Sequence, residues 1–364
     1  MKGEKMENNE LLYLSEEDTI RAGLLDIRFC VDNAEEVFRT VTRGEYLMGG
    51  PSENEHGIRI CFPKEKRFPG MPVAAPGYSF MAMPAYVGGP FGAVGEKWYG
   101  ASLQNLKKNL PRAYHMVMLN DLETGRPLAL LTAPLLSAAR SGAAPGVAMR
   151  YLCHDGCKKA ALVGAGLMNR FVILALFSEC PGIESVQVYD IDGEKCKAYC
   201  REMSEFTGRE VSAAGSMEEA LRDADIVHTG QSNSFVLKKA WLKEGAVLLI
   251  SSDVEIEQDI LCDAQLVFDH KAAHDIWIQN DPQMGLPTFD ALRLMEAGAI
   301  PADRVCDLGD VIEGRRLPEG VGHRIFYWMG MPVSDIALAA ALYQNALDKK
   351  IGTKLRLWDK PLWK

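Results

Sequence analysis

The chain lacks any apolar run long enough to cross a bilayer. Its most apolar helix candidate, FVILALF at 171–177, falls far short of the ~20 residues a spanning helix needs. The opening stretch, MKGEKMENNELLYLSEEDT, is charged and polar and carries no apolar core of a signal peptide. Positive charge is also in short supply. Lys and Arg number 40 against 49 Asp and Glu, a formal charge of −9. That balance argues against nucleic acid or an anionic membrane as the main partner, although a small basic pocket can still sit on an acidic surface.

Cysteine pairing is lacking in the same sense. Nine cysteines is an odd count, scattered through segments patterned as helices and strands. Reduced thiols suit this better than a disulfide framework, and the expected compartment is the cytoplasm. Cys153 and Cys157 flank His154, and Cys196 and Cys200 lie one helical turn apart, but neither pair has a second at zinc-finger spacing. His270 and His274, set between Asp269 and Asp275, would share a face if helical, yet no HExxH glutamate separates them. No metal is expected. Internal repeats and low-complexity tracts are absent too.

What is present fits a globular protein of two domains. At 364 residues each half can bury its own core, and the 48% apolar and 24% charged fractions are ordinary. LSEEDTIRAGL has the signature of a capped helix start, with Ser15 as N-cap and Asp18 reaching back. Ala34, Val37, Phe38 and Val41 continue with helical spacing. From Gly57 to Leu131 short apolar runs broken by Gly and Pro predict a largely antiparallel sheet. Within it, LNDLETGRPLALL forms a hairpin turning through Asp121 and Gly125. APLLSAARSGAAPGVAMRYL predicts a close-packed helix of small residues, with Pro145 as a candidate break. From Lys158 the rhythm turns to β-α-β-α, which predicts a doubly wound parallel sheet. VSDIALAAALYQNALDKKI is a long helix able to return to the first domain. The fold expected is α/β: a Rossmann sheet plus an α+β domain. The boundaries are 1–152 for substrate binding and dimerisation, 153–328 for the dinucleotide, and 329–364 for the returning helix.

The strongest local signal is KKAALVGAGLMNRF, from Lys158 to Phe171. An apolar strand runs into Gly164 and Gly166, and an uncapped helix follows through Leu167, Met168 and Asn169. Asn169 stands where a third glycine is usual. Glycines here let the backbone approach a diphosphate lodged on the helix N-terminus. The next strand ends in Asp190, placed to accept hydrogen bonds from adenosine ribose hydroxyls, and Asp192 could share that role. A carboxylate there repels a 2′-phosphate, so the expected cofactor is NAD. Elsewhere, Lys97 lies in an aromatic and glycine segment and Arg140 in a helix of Ala, Gly and Ser. Each charge is costly in such surroundings unless it meets an anion, either a ligand or an internal Asp or Glu. Arg59, in GIRICF, is a third candidate cation. Asp253 follows the strand AVLLISS, at the edge where a parallel sheet presents its chemistry.

Several stretches together resemble the ornithine cyclodeaminase and mu-crystallin family: GEKWYG, LNDLETGRPLALL, LLSAARSGAAPGVAMRYL, LVGAGLMNR, VYDID, ALRDADIVHT, WLKEGAVLLISSD and CDLGDVIEGRR. They run in the family's order over roughly residues 55 to 345. The resemblance implies a homodimer whose first domain builds the pocket facing the nicotinamide. It further implies that Arg59, Lys97 and Arg140 hold the substrate's α-carboxylate, and that Asp253 is the catalytic acid, with Lys97 beside it in the catalytic set. Two positions depart from the family. Met81 stands where ornithine-specific members carry a glutamate, and Trp328 replaces a hydroxyl residue on the nicotinamide side. AYVGGPFGAVG also lengthens the loop before Lys97. This divergent set is similar to proteins that carry the name of a tyramine oxidase accessory subunit. The expected reaction is NAD-dependent hydride transfer at the α-carbon of an amino acid or its imine, in the manner of ornithine cyclodeaminase. The alternatives are an imine reductase or amino-acid dehydrogenase, and a non-catalytic NAD(H)-binding subunit.

Overall fold

Alternating exposure along the long early strands and unbroken burial along three of the later ones mark two different sheets. The structure is a computed structural model that describes residues 9–280, 289–315 and 322–363. The chain divides into two compact units. The first comprises residues 1–29, 43–140 and 331–364; the second comprises 30–42 and 141–330.

In the first unit the strands are β1 (Glu10–Leu14), β2 (Tyr46–Met48), β3 (Ile58–Cys61), β4 (Ser79–Val87), β5 (Ala93–Ala101), β6 (Ala113–Asn120) and β7 (Pro127–Thr132), joined by β18 (Thr353–Arg356). Their order is β18-β1-β7-β6-β5-β4-β2, with β3 also on β4. Every pairing is antiparallel except β1 with β7. The first helix, α1 (Glu16–Thr19), starts in the expected box: Ser15 Oγ accepts from the Asp18 amide, and Asp18 Oδ2 accepts from the Ser15 amide. The β6–β7 turn closes where Asp121 Oδ1 accepts from the Thr124 amide at 2.8 Å and Gly125 takes a positive φ of 70°.

Strand period two divides this sheet sharply. On one face, Arg59, Met81, Tyr99 and His115 lie directly across from one another in a row over β3, β4, β5 and β6. The neighbouring row is Met83, Lys97, Val117 and Leu131, all buried. The C-terminal helix, Pro332–Lys349, packs on β4, β5 and β6. The other face carries Ile58 and Ile60 of β3, Trp98 of β5 and Tyr114 of β6, all exposed.

The second unit is an eight-stranded sheet, parallel throughout, in the order β10-β9-β8-β11-β13-β17-β15-β16. These strands are β8 (Lys159–Val163), β9 (Ser185–Tyr189), β10 (Val211–Ala213), β11 (Ile226–Thr229), β13 (Val247–Ile250), β15 (Gln265–Phe268), β16 (Val305–Asp307) and β17 (Arg324–Tyr327). A separate pair, β12 (Val236–Leu237) and β14 (Glu255–Ile256), lies beside it. Strands β11, β13 and β15 are buried along their whole length, as a sheet covered on both faces requires. The fold is α/β, a Rossmann-like parallel sheet with a mostly antiparallel second sheet.

Two details differ from expectation. Helix α3 (Pro134–Leu152) runs unbroken through Pro145. Residues 30–42, most of α2 (Ile27–Thr42), and residues 141–152 of α3 cluster with the second unit rather than the first. The reason lies in small residues and one arginine. Gly142 approaches α4 (Leu167–Glu179) so closely that a Cβ on it would sit 2.5 Å from Phe171 Cβ and 2.9 Å from the Val172 amide. Arg150 donates to Glu179 (2.7 Å), to Asp32 (2.8 Å) and to Glu35, which also accepts from Arg39 at 2.6 Å. Gly142→Ala should therefore destabilise the protein by roughly 1–3 kcal/mol in urea unfolding, because backbone must move to admit the methyl. A variant as stable as wild type would contradict this helix contact.

Candidate active site

A carboxylate and a left-handed glycine fix the turn after β8. Gly164 has φ +100°, its amide donates to Tyr189 O at 2.7 Å, and a Cβ on it would lie 3.0 Å from Gly230 O. Only glycine fits both demands. Gly166 caps α4 in an extended conformation with no side chain on the helix end, and space over its Cα is open to 4 Å. The free amides of that helix start carry partial positive charge, which suits a diphosphate. Leu167 opens the helix and is exposed. Met168 is half-buried and approaches Gly230.

The neighbouring side chains separate into distinct duties. Asn169 is fully buried; its Nδ2 donates to Gly164 O at 2.6 Å and Val163 O at 3.2 Å, so it pins the turn that a third glycine would leave bare. Asp190 accepts from the Ala165 amide at 2.7 Å and the Asp192 amide at 3.0 Å, tying the end of β9 to the glycine turn. Asp192 is the N-cap of α5 (Gly193–Thr207), accepting from the Lys195 amide at 3.1 Å.

The C-terminal ends of adjacent strands β8, β11, β13 and β17 then present, in order, Gly164, Gln231, Asp253 and Trp328. Gln231 braces the segment bearing Asp253: its Nε2 donates to Asp253 O at 3.1 Å and its Oε1 accepts from Ser252 Oγ at 2.9 Å. Asp253 itself is exposed. Trp328 is buried, its amide donates to Ile250 O, and among the described residues its indole Nε1 has no hydrogen-bond partner. The segment after it is anchored by Asp269, which accepts from the Met329 amide (3.1 Å) and the Gly330 amide (3.0 Å) and pairs with His274 Nε2 at 2.6 Å. Burial opposes ionisation of Asp269, but His274 and the Gly330 and His270 amides hold its carboxyl below the usual range. His274 thus orients a loop, and His270 lies just outside the helix Lys271–Asn280 that carries it.

In the first unit, Lys97 and Arg140 converge on one carboxylate. Lys97 Nζ donates to Asp335 Oδ2 at 2.7 Å, and Arg140 Nε donates to Asp335 Oδ1 at 3.1 Å. Asp335, in the C-terminal helix, is wholly buried; Lys97 is 1% exposed and Arg140 8%. Burial pushes the Lys97 ammonium down to about 8, helped by Arg140 and opposed by Asp335. Burial would also push Asp335 up, but the charges of Arg140 and Lys97 outweigh it and keep the carboxyl below its ordinary value. Both cations therefore meet an internal aspartate, yet one carboxylate cannot neutralise two cations. Among the described residues the terminal nitrogens of Arg140 make no hydrogen bond, so its fork stays available to a second carboxylate.

Arg59 lies in the next row, half-buried opposite Met81, and Met81 is 1% exposed. The row continues to Tyr99 and His115, whose rings are 5.2 Å apart, with Lys97 Nζ 5.9 Å from the Tyr99 ring. Asp335, Tyr99 and His115 were not singled out from the sequence. Strand parity was the available signal for the last two, since Tyr99 shares a face with Lys97. For Asp335 the signal was an acid just ahead of the apolar run at residues 336–342.

A family model described as the ornithine cyclodeaminase/mu-crystallin family matches residues 25–350. The chain is 26% identical over 363 residues to the N-((2S)-2-amino-2-carboxyethyl)-L-glutamate dehydrogenase of Staphylococcus aureus (strain NCTC 8325 / PS 47), covering 96% of this chain and 100% of that one. A solved Thermococcus litoralis Delta(1)-pyrroline-2-carboxylate reductase, in complex with NADH and L-proline, superposes with a TM-score of 0.77 at 25% identity, over 94% of this chain and 99% of that one. An archaeal alanine dehydrogenase dimer with bound NAD gives a TM-score of 0.77 at 26% identity, over 96% of this chain and 100% of that one. With the family model matched from residue 25 to residue 350, the chain belongs to the ornithine cyclodeaminase/mu-crystallin family.

Proposed function

We propose that the protein is an NAD-dependent enzyme that acts on an α-amino acid or its imine by hydride transfer at the α-carbon. The observation that carries this reading is the surplus positive charge of Lys97 and Arg140 over Asp335, which a substrate α-carboxylate would complete. Arg140 offers its fork, Lys97 a point charge, and Arg59 a third cation from the adjoining row. Asp335 orients both buried cations before substrate arrives, so little reorganisation is needed on binding. The open helix start at Gly166, with Leu167 and Met168 along it, fits a diphosphate; Asp190 fits the adenosine ribose, and Trp328 the nicotinamide side. NAD, when bound, supplies the acceptor or donor of the hydride.

Asp253 handles the amine proton in this reading. It takes a proton from the substrate ammonium in the oxidative direction and positions water for attack on the resulting imine carbon. In the reverse direction it returns the proton to the imine nitrogen. Net dehydrogenation or imine reduction is favoured over redox-neutral cyclisation. Met81 is apolar and buried, and gives a second substrate ammonium no counter-charge there. The relatives named as a dehydrogenase and as a reductase point the same way. A purely NAD(H)-binding role is the weaker reading, because two buried cations on one carboxylate are a costly feature for a protein without an anionic ligand.

The first unit serves as the substrate and dimerisation unit and the second as the NAD unit. The exposed apolar row of Ile58 (61%), Ile60 (51%), Trp98 (42%) and Tyr114 (53%) supports a homodimer through that sheet face. The archaeal alanine dehydrogenase is itself a dimer. Nine free thiols support a reducing compartment, the cytoplasm.

Asp253→Asn should lower turnover by about 100-fold or more, the scale of a general acid–base group, while isothermal titration finds NAD affinity unchanged. Turnover near wild type would remove Asp253 from this role. Asp190→Ala should weaken NAD by about ten- to a hundred-fold through lost charge-assisted hydrogen bonds. Asp192→Ala should cost about 1 kcal/mol of stability as a lost cap and leave NAD affinity nearly intact. The opposite ranking of these two variants would reassign the ribose carboxylate.

A further inference from the structure

We propose that Tyr99, His115 and Arg112 form the subsite for the substrate's side chain, and that this side chain carries a second carboxylate. The inference rests on the α-carboxylate role proposed above for Lys97 and Arg140.

The register of the first sheet places the subsite. Tyr99 is two residues beyond Lys97 on β5 and so shares its face, and His115 lies directly opposite Tyr99 on β6. A substrate whose α-carboxylate meets Lys97 and Arg140 would meet Tyr99 and His115 with the atoms beyond its α-carbon. Arg112 stands one residue before β6, exposed, near enough to act electrostatically on both rings.

Three properties of this row select an acid. The first is charge. Lys97 and Arg140 over Asp335 are one unit positive, which an α-carboxylate would balance, and Arg112, exposed at the edge of this row, makes no ion pair among the described residues. A second carboxylate would give Arg112 the counter-ion that an apolar or basic side chain would not. The second is an unused polar atom. His115 Nδ1 is buried and has no hydrogen-bond partner among the described residues. Burial and the nearby Lys97 charge push the imidazole down to about 3, so it is neutral and has one N–H to give. An apolar side chain would leave that nitrogen unpaired, at the usual cost of a buried polar group. The third is the lack of a counter-charge for an amine. Met81 beside Tyr99 is apolar, and His115 carries no charge to attract an ammonium. A carboxylate can accept from the imidazole, from the Tyr99 hydroxyl, which burial keeps protonated, and from the Arg112 guanidinium.

The test runs in the reductive direction. Each 2-oxo acid with ammonia forms an imine in situ; imine, NADH and a proton then give the amino acid and NAD+. Oxaloacetate and 2-oxoglutarate are compared with pyruvate and 2-oxobutyrate by NADH absorbance, with ammonia-free controls. The dicarboxylic substrates should show kcat/KM higher by about ten-fold or more. That ratio should fall toward one in Arg112→Gln and in His115→Ala. Equal or better turnover of the monocarboxylic substrates would overturn the inference and leave the α-carboxylate reading standing, as would variants that lower both classes equally. If neither class is turned over, ligand binding to the NAD-loaded protein decides. Succinate raising Tm more than butyrate supports the subsite, and equal shifts overturn it. No shift with either overturns the α-carboxylate reading as well.

Discussion

One buried carboxylate between two buried cations governs the first unit. Asp335 accepts from Lys97 and from Arg140, and the three come from one strand and two helices far apart in sequence. Removing Asp335 would leave two like charges in a low-dielectric interior, a change typically worth ~3–5 kcal/mol. In the proposed reading the same group also prepares the substrate site. It keeps Lys97 charged against burial, holds the arginine by Nε alone, and leaves the pair one unit positive. In the proposed reading a structural ion pair and an anion site share the same atoms, because one carboxylate leaves the two cations one unit positive.

In the proposed reading the second unit solves a different problem, how to bring backbone close to a charged cofactor. Gly164 permits a left-handed turn between the ends of β9 and β11, Gly166 leaves the helix start uncovered, and Asn169 replaces a glycine by binding the turn's own carbonyls. Asp269, paired with His274, performs a similar service at the other side of the sheet by gripping the amides after Trp328. In each case a buried side chain commits its hydrogen bonds to backbone and so fixes the segment at the end of a strand.

Much of this was legible in the sequence. The change from period two to β-α-β-α marked both sheets, and the glycine turn, Asp190 and the two isolated cations pointed to their own positions. The helix through Pro145 and the assignment of residues 30–42 and 141–152 were not legible, since both depend on which partner the small residues of α3 meet. Local pattern describes a helix's composition and is silent on its neighbour. Asp335 escaped for the same reason: an acid in the first turn of a helix is ordinary until its two cations are known. Tyr99 and His115 follow from strand parity once Lys97 is placed, but their direct opposition needs the β5–β6 register, which depends on the hairpin geometry.

The central claim is that Asp335 sustains a charged Lys97 in a buried site. Its most direct measurement is an NMR titration of side-chain-labelled lysine, with the Lys97 signal assigned by its loss in Lys97→Met. The account predicts that Lys97 titrates near pH 8 in the wild type and lower in Asp335→Asn, where the ammonium loses its carboxylate but keeps its burial and Arg140. Titration of Lys97 at its ordinary value near 10.5 in both proteins would contradict it.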